Sequence, residues 1–162
     1  MHGISVQNGS YNRIISNKIY GHNFYTSVWG ITSYKENHGN IISENTISNN
    51  WGGIDYLGTD SEISKNNITY NTELGIYLSS PGWLPCKKNT ITQNNLIGNG
   101  INAFFLVNLF SFNVWYNNYW TNWPLQLPKL ILGKCFILMG IKIVPWFNID
   151  WHPAKEPYDI GG

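Results

Sequence analysis

The sequence predicts an all-β solenoid, in which short parallel strands climb in stacked coils. The first observation is a recurring phrase of an apolar residue, two spacers, Asn, one spacer, an apolar residue, two spacers and Asn. The second is a phrase of a small residue followed by an apolar, any and an apolar residue, which lies between copies of the first. Alternation over so few residues is typical of strands with one buried face. Counted between the first Asn of successive copies, the steps are 28, 21, 28 and 19 residues, which are typical of repeat architectures.

The Asn phrase occurs four times in full, at residues 42–50, 63–71, 91–99 and 110–118. A weaker copy at 14–22 has His22 in place of the second Asn. Asn tolerates left-handed backbone and bonds nearby backbone groups, so we expect it to bend the chain at each corner. Coils stacked about 4.8 Å apart place equivalent amides in hydrogen-bonded ladders. The two predicted ladders are Asn45, Asn66, Asn94, Asn113 and Asn50, Asn71, Asn99, Asn118.

The second phrase predicts one sheet face with an outward row of side chains. It occurs at residues 3–6, 30–33, 53–56, 75–78 and 103–106. The outward row is predicted to comprise Ser5, Thr32, Asp55, Tyr77 and Phe105. An Asp beside aromatic rings suits a sugar, whose ring faces stack on aromatic side chains and whose hydroxyl groups donate to a carboxylate. A solvent-facing row with ordinary cross-coil contacts is the alternative.

The Asn-Ile and Gly-Ile phrases resemble the repeat of the pectate-lyase-like superfold, over about residues 3–122. Within it, the chain is similar to the β-helix domain of the NosD family of periplasmic copper-binding proteins. Residues 117–120 (NNYW) are similar to a signature that closes such domains, and residues 148–158 to their short tail. The resemblance implies a right-handed parallel β-helix of about five coils in an exported protein, extracellular or periplasmic. It does not fix a function, because this superfold hosts enzymes, adhesins and scaffolds.

The chain is expected to divide into coils at residues 1–120 and a C-terminal cap at residues 121–162. Two or three short strands are predicted in the cap, at 129–132, 135–139 and 141–144. Trp120, Trp123, Trp146 and Trp151 are expected to cover the end of the core. The longest stretch here without charge or proline is 135–141, well short of the roughly 18 residues of a membrane-spanning helix.

The overall charge indicates no particular partner. The formal net charge of +1 gives no reason to expect nucleic acid or an anionic membrane.

No signal peptide opens the chain, so we expect a fragment of an exported parent or a protein that is not exported. No cap is predicted before the first coil, so we expect its exposed strand edge to pair with another copy of the chain or with a missing upstream coil. Cys86 and Cys135 either pair or remain buried thiols.

We expect a non-catalytic scaffold or carbohydrate-binding module without cofactors. Its predicted ligand-binding residues are Thr32, Asp55, Tyr77, Phe105 and Trp83, with the loops at 24–29 and 79–88. The alternatives are a fragment of a polysaccharide-active lyase or hydrolase, and a copper-handling accessory protein. Glycoside hydrolysis needs paired carboxyl groups, and only Asp55 lies on the predicted row. Copper needs converging imidazole or sulfur ligands, and the four histidines are scattered.

Overall fold

In the computed structural model, the chain is described over residues 2–23, 27–80, 84–137 and 142–160, and these residues form seventeen strands and no helix. Fifteen strands form three faces of a solenoid. The long-strand face consists of β1 (Ile4–Gln7), β4 (Trp29–Tyr34), β7 (Gly52–Tyr56), β10 (Leu74–Ser79) and β13 (Ile101–Asn108). The middle face consists of β2 (Arg13–Ile15), β5 (Ile41–Ser43), β8 (Glu62–Ser64), β11 (Thr90–Thr92) and β14 (Val114–Tyr116). The third face consists of β3 (Lys18–Tyr20), β6 (Thr46–Ser48), β9 (Asn67–Thr69), β12 (Asn95–Ile97) and β15 (Tyr119–Trp120).

Every strand of these faces pairs in parallel with the equivalent strand of the next coil. Ile42 pairs with Ile63, for example, and Ile63 pairs with Ile91. The predicted parallel β-solenoid of about five turns is therefore confirmed. The two remaining strands, β16 (Lys129–Ile137) and β17 (Lys142–Asp150), join the long-strand and middle faces into one twelve-stranded sheet.

The core is a stack of branched aliphatic side chains, because each short strand turns one such residue inward. Ile47 and Ile68 follow each other on the third face, and both are fully buried. In the last coil the core contains aromatic side chains. Trp115 and Trp120 are buried there, with ring centroids 6.1 Å apart. The repeated apolar positions of the sequence therefore form one continuous core.

The predicted ladder of Asn45, Asn66 and Asn94 is present, and it has a direction. Asn45 donates from its backbone N–H and its Nδ2 to Oδ1 of Asn66, at 3.1 and 2.9 Å. Asn66 donates in the same way to Asn94, at 3.0 and 2.9 Å. Asn17 begins the column through the same pair of bonds to Asn45. Each coil is thus fastened to the next by two buried hydrogen bonds that point toward the C-terminus.

The assignment of asparagines in the last coil is wrong. Asn118 accepts from Asn94 at 3.1 and 3.0 Å, so it belongs to the first ladder and not the second. Asn113 accepts from Asn89 in a third ladder that the sequence analysis missed. Corners recur every five residues within a coil, so a copy displaced by one corner still matches the phrase. The third ladder comprises Asn12, Asn40, Ser61, Asn89 and Asn113.

The second predicted ladder holds for three of its members. Asn50 donates to Asn71 at 3.1 and 3.1 Å, and Asn71 donates to Asn99 at 3.0 and 2.9 Å. His22 enters this column through its backbone N–H, which donates to Asn50 Oδ1 at 3.2 Å. The position expected for His22 is therefore correct, and its bond uses the main chain.

The bend at each corner is made by the residue before the ladder asparagine. Glu44, Lys65 and Gln93 have φ of 59°, 52° and 55°, and each immediately precedes a member of the first ladder. The expectation that the asparagine itself takes the left-handed conformation is wrong for this column. Bending and bonding are therefore done by different residues. The preceding residue bends the chain, and the backbone N–H and side-chain amide of the asparagine donate to the next coil. The first ladder comprises Asn17, Asn45, Asn66, Asn94 and Asn118.

The C-terminal strands form one antiparallel hairpin of two strands, each longer than the two or three short strands expected. β16 pairs with β17 from Lys129 opposite Asp150 to Ile137 opposite Lys142. On its other side β16 adds to β13, and β17 meets β14 only where Asp150 pairs with Trp115. Exposed and buried residues alternate along β16 from Leu130 to Cys135, as expected for a single strand with one buried face. The capping role assigned to residues 121–162 stays a prediction.

Two of the four tryptophans expected to cover the core do contact it. Trp120 is buried, and Trp123 packs against the core cluster. Trp146 and Trp151 are 47% and 60% exposed, so the expectation for them is wrong. The Lys129 ammonium lies 4.8 Å from the centroid of the Trp123 ring and partly covers it.

Asp150 ends the first ladder. Its Oδ2 accepts from the Asn118 backbone N–H at 3.0 Å, from Asn118 Nδ2 at 3.1 Å and from Trp120 Nε1 at 3.0 Å. A carboxylate oxygen accepts hydrogen bonds and does not donate them. Asp150 therefore accepts the bonds from Asn118 without needing an acceptor of its own in a further coil. A fully buried Asp is therefore suited to this place.

We predict that Asn66→Ala lowers the free energy of unfolding by about 3 kcal/mol, because several buried polar groups lose their partners at once. Those groups include the Asn45 N–H and the Ile42 carbonyl, which lose the bonds made by the Asn66 side chain. Urea denaturation followed by circular dichroism measures the change. The matched control is Asn23→Ala at an exposed position, which is expected to stay within about 0.5 kcal/mol of the original protein. Equal effects of the two substitutions would contradict the ladder's role.

Candidate ligand-binding face

The outward row predicted on the long-strand face is correct for four of its five residues. Ser5 pairs with Thr32, Thr32 with Asp55, and Asp55 with Tyr77, so the four side chains form one column. The next residue in that column is Phe104, which pairs with Tyr77.

Phe105 does not belong to the row. It is 0% exposed and lies in the core beside Leu78, its partner on β10. The sequence analysis aligned Ala103 with the glycines at 30, 53 and 75, whereas Ala103 pairs with the core residue Ile76. Because side chains alternate along a strand, this slip of one residue exchanged the two faces.

Aromatic rings lie beside this column, and two of them, Tyr77 and Phe104, belong to it. The Trp51 and Trp29 rings meet edge to face with centroids 5.3 Å apart, and Trp29 lies nearly parallel to Tyr77 at 6.0 Å. Tyr77 is followed by Phe104 at 6.1 Å. We call Trp51, Trp29, Tyr77 and Phe104 the aromatic strip. The sequence analysis missed Trp51 and assigned Trp29 to the loop at 24–29, although both flank the glycines of the second phrase.

Asp55 lies beside the strip and is only 8% exposed. Its Oδ1 accepts from the Ser79 hydroxyl at 2.8 Å. Burial raises the pKa of Asp55 to about 6, although the Ser79 hydrogen bond opposes the shift. Burial, followed by the nearby Asp55 and Cys86, also raises the pKa of Tyr77 to about 12, so its phenol remains neutral.

Thr32 lies next to Asp55 with its side chain buried. Its Oγ1 has no hydrogen-bond partner among the described residues. An unpaired buried hydroxyl is costly, so this position favours any group that offers it a partner.

The loops predicted to frame the row are described only in part. Trp83 and residues 24–26 lie outside the described residues. Trp29 is not in a loop, because it begins β4. In the second loop Leu84 packs against the core and Cys86 is fully buried, so this end of the loop turns inward.

Among the described residues, the charged side chains and those able to bind a metal do not cluster in one place. His38 and Asp60 form an exposed pair at 3.4 Å, away from the outward row. His2 is bonded through Nδ1 to the Trp29 N–H and through Nε2 to the Tyr34 hydroxyl, and partial burial lowers its pKa. No group of three or more His, Cys, Asp or Glu able to hold a metal occurs within 2–23, 27–80, 84–137 and 142–160. Both cysteines, whose pairing the sequence left open, are free and buried.

A second concavity lies at the edge of the third face, where the C-terminal segment folds back over it. Tyr158 donates its N–H to Asn95 Oδ1 at 2.8 Å and accepts from Asn95 Nδ2 at 2.9 Å. The cavity beside it has a volume of about 610 Å³ and is lined by charged side chains of both signs, including Lys18, Glu44 and Lys65. No sequence signal indicated this contact, because 63 residues separate its partners.

We predict that Asp55→Asn stabilises the fold at neutral pH. A carboxyl whose pKa rises from 3.8 to about 6 on folding favours the native state below pH 3.8, and that advantage is lost as pH rises through 6. The variant is therefore expected to be more stable than the original protein by up to about 3 kcal/mol at pH 7, and the difference is expected to shrink toward pH 4.

Urea denaturation of both proteins from pH 4 to pH 7 measures this difference. Glu73→Gln, at an exposed carboxylate, is the control and is expected to leave a difference that does not vary with pH. A constant difference for Asp55→Asn as well would contradict the burial of an ionisable group here.

Comparison with known proteins agrees with this architecture. No helix in the described part of the chain is long and apolar enough to cross a membrane. Searches of curated proteins and of solved structures find no match to the chain. The family described as "right handed beta helix region" matches residues 1–140. The chain therefore belongs to the right-handed β-helix family.

Proposed function

We propose that this chain is a non-catalytic β-helix module that binds carbohydrate along the aromatic strip. The observation that carries the proposal is the run of four rings from four successive coils, whose neighbouring centroids lie 5.3 to 6.1 Å apart. Trp29 is only 5% exposed, so Trp51, Tyr77 and Phe104 are the rings that a ligand reaches. The faces of sugar rings are apolar and pack on aromatic side chains. Because the rings follow the coils, an extended glycan lying along the axis is the ligand whose shape suits them.

Polar groups beside the strip supply partners for hydroxyl groups. Asp55 accepts hydrogen bonds, and Ser79, already bonded to it, is partly exposed at the end of β10. The Thr32 hydroxyl lies one coil away from Asp55 but is fully buried, so a ligand on this face does not reach it. A few placed polar groups among apolar rings are typical of binding sites for small polar ligands.

The arrangement of acids favours binding over catalysis. Glycoside hydrolysis uses two carboxyl groups about 5 to 9.5 Å apart. The direct neighbours of Asp55 in its row are Thr32 and Tyr77, neither of which is an acid. A polysaccharide-active fragment and a copper-handling accessory protein stay alternatives from the sequence, as does a scaffold that associates through its N-terminal coil. An extracellular or periplasmic location belongs to the same proposal.

Affinity electrophoresis in gels that contain xylan, cellulose derivatives, chitin derivatives or polygalacturonate tests the proposal. At least one polysaccharide is expected to retard the protein. Tyr77→Ala and Phe104→Ala are each expected to weaken that binding about tenfold, equivalent to about 1.4 kcal/mol. The matched control is Tyr20→Ala, because Tyr20 is an exposed tyrosine on the third face.

Two outcomes would contradict the proposal. The first is that no polysaccharide retards the protein, and the second is that Tyr20→Ala weakens binding as much as Tyr77→Ala. Incubation of the same polysaccharides with the protein separates the enzyme alternative, since hydrolysis releases reducing ends and lyase action produces an absorbing unsaturated sugar. Thermal unfolding of each variant shows whether a lost signal reflects lost fold.

A further inference from the structure

The hairpin of β16 and β17 presents an apolar face to solvent. Along β16, Ile131 and Cys135 turn inward and are buried, whereas Leu130 and Leu132 are 50% and 67% exposed. Residues directly opposite each other in an antiparallel pair share a face. The hairpin outer face therefore consists of Leu130, Leu132, Lys134, Phe136, Ile143, Pro145, Phe147 and Ile149.

Seven of these eight side chains are apolar, and the most exposed lie together. Leu132 is directly opposite Phe147, which is more than half exposed, and the Trp146 ring lies nearly parallel to that of Phe147 at 6.2 Å. An exposed apolar surface of this kind on a soluble chain indicates a binding partner. The face belongs to two neighbouring strands of the twelve-stranded sheet. The cavity at its edge, beside Leu130 and Leu132, has a volume of about 160 Å³, which is too small to hold a peptide segment.

The charges of the hairpin have one sign where solvent reaches them. Residues 129–150 contain Lys129, Lys134, Lys142 and a single acid, Asp150. Asp150 is fully buried and accepts from Asn118 and Trp120. Lys134 and Lys142 are exposed, so the partner of this surface is expected to carry negative charge. The net charge of the whole chain hides this local excess.

The hairpin edge argues against a second copy added as a further strand. Pro145 lies in the middle of β17 and has no N–H to donate to a neighbouring strand. A second copy packed face to face would bring the same lysines toward each other. Negative charge beside an apolar phase is instead what the surface of an anionic membrane offers.

We propose that the hairpin outer face binds the surface of an anionic lipid membrane. Leu132 and Phe147 enter the boundary between headgroups and acyl chains, where aromatic side chains are favoured. Lys134, on the same face, and Lys142, at the end of the hairpin, remain at the level of the lipid phosphates. The chain lies on the membrane in this arrangement and does not cross it.

Co-sedimentation with vesicles tests the proposal. The protein is expected to pellet with vesicles of phosphatidylcholine and phosphatidylglycerol, and at least tenfold less with phosphatidylcholine alone. The double variant Leu132→Ser, Phe147→Ser is expected to lose at least tenfold in vesicle affinity. The double variant Lys134→Gln, Lys142→Gln is expected to lose the preference for anionic vesicles.

The matched control is Phe110→Ser, Phe112→Ser, which removes two exposed aromatic side chains from a turn outside the hairpin. It is expected to leave vesicle binding unchanged, as is Tyr77→Ala, so this result is separable from carbohydrate binding. The proposal is overturned if the protein pellets with neither vesicle. It is also overturned if analytical ultracentrifugation shows a dimer that Leu132→Ser, Phe147→Ser dissociates while vesicle binding is absent.

Discussion

The fold depends on amide ladders that bind each coil to the next in one direction. A corner N–H and a side-chain Nδ2 both donate to the Oδ1 of the next coil, as in the bonds from Asn45 to Asn66. Asp150 ends the column with an acceptor that carries charge. These bonds are buried, so each missing partner would cost more than an exposed hydrogen bond contributes. The corners are thereby fixed, and the segments between them are free to differ in length, with steps of 28, 21, 28 and 24 residues.

Fixed corners also place the candidate site. Because coils align at the ladders, equivalent positions of the long-strand face fall into one column, and Asp55 lies between Thr32 and Tyr77. The long-strand face continues into the C-terminal hairpin, because β16 pairs in parallel with β13. The aromatic strip and the hairpin outer face are thus two surfaces built by one stacking rule. They differ in chemistry, since the first has a buried carboxyl beside it and the second has an exposed lysine, Lys134.

The sequence predicted the stacked coils because the same residue types return at the same corners, and physical stacking requires that repetition. It failed where the pattern is ambiguous. Asn113 and Asn118 match two registers, since corners recur every five residues, and Phe104 and Phe105 match either face of a strand. Contacts that occur once leave no periodic signal at all. Examples are the hydrogen bond between Asn95 and Tyr158 and the one from Asn118 to Asp150.

Native-state hydrogen exchange of the backbone amides of Asn45, Asn66 and Asn94 tests the central claim most directly. These N–H groups lie at corners, outside the strands, and are bonded only if the next coil's amide accepts them. The account predicts that they exchange as slowly as the amides of the neighbouring core strands, through global unfolding. Exchange as fast as that of the exposed Asn23 amide would contradict the ladder as the interaction that holds the coils together.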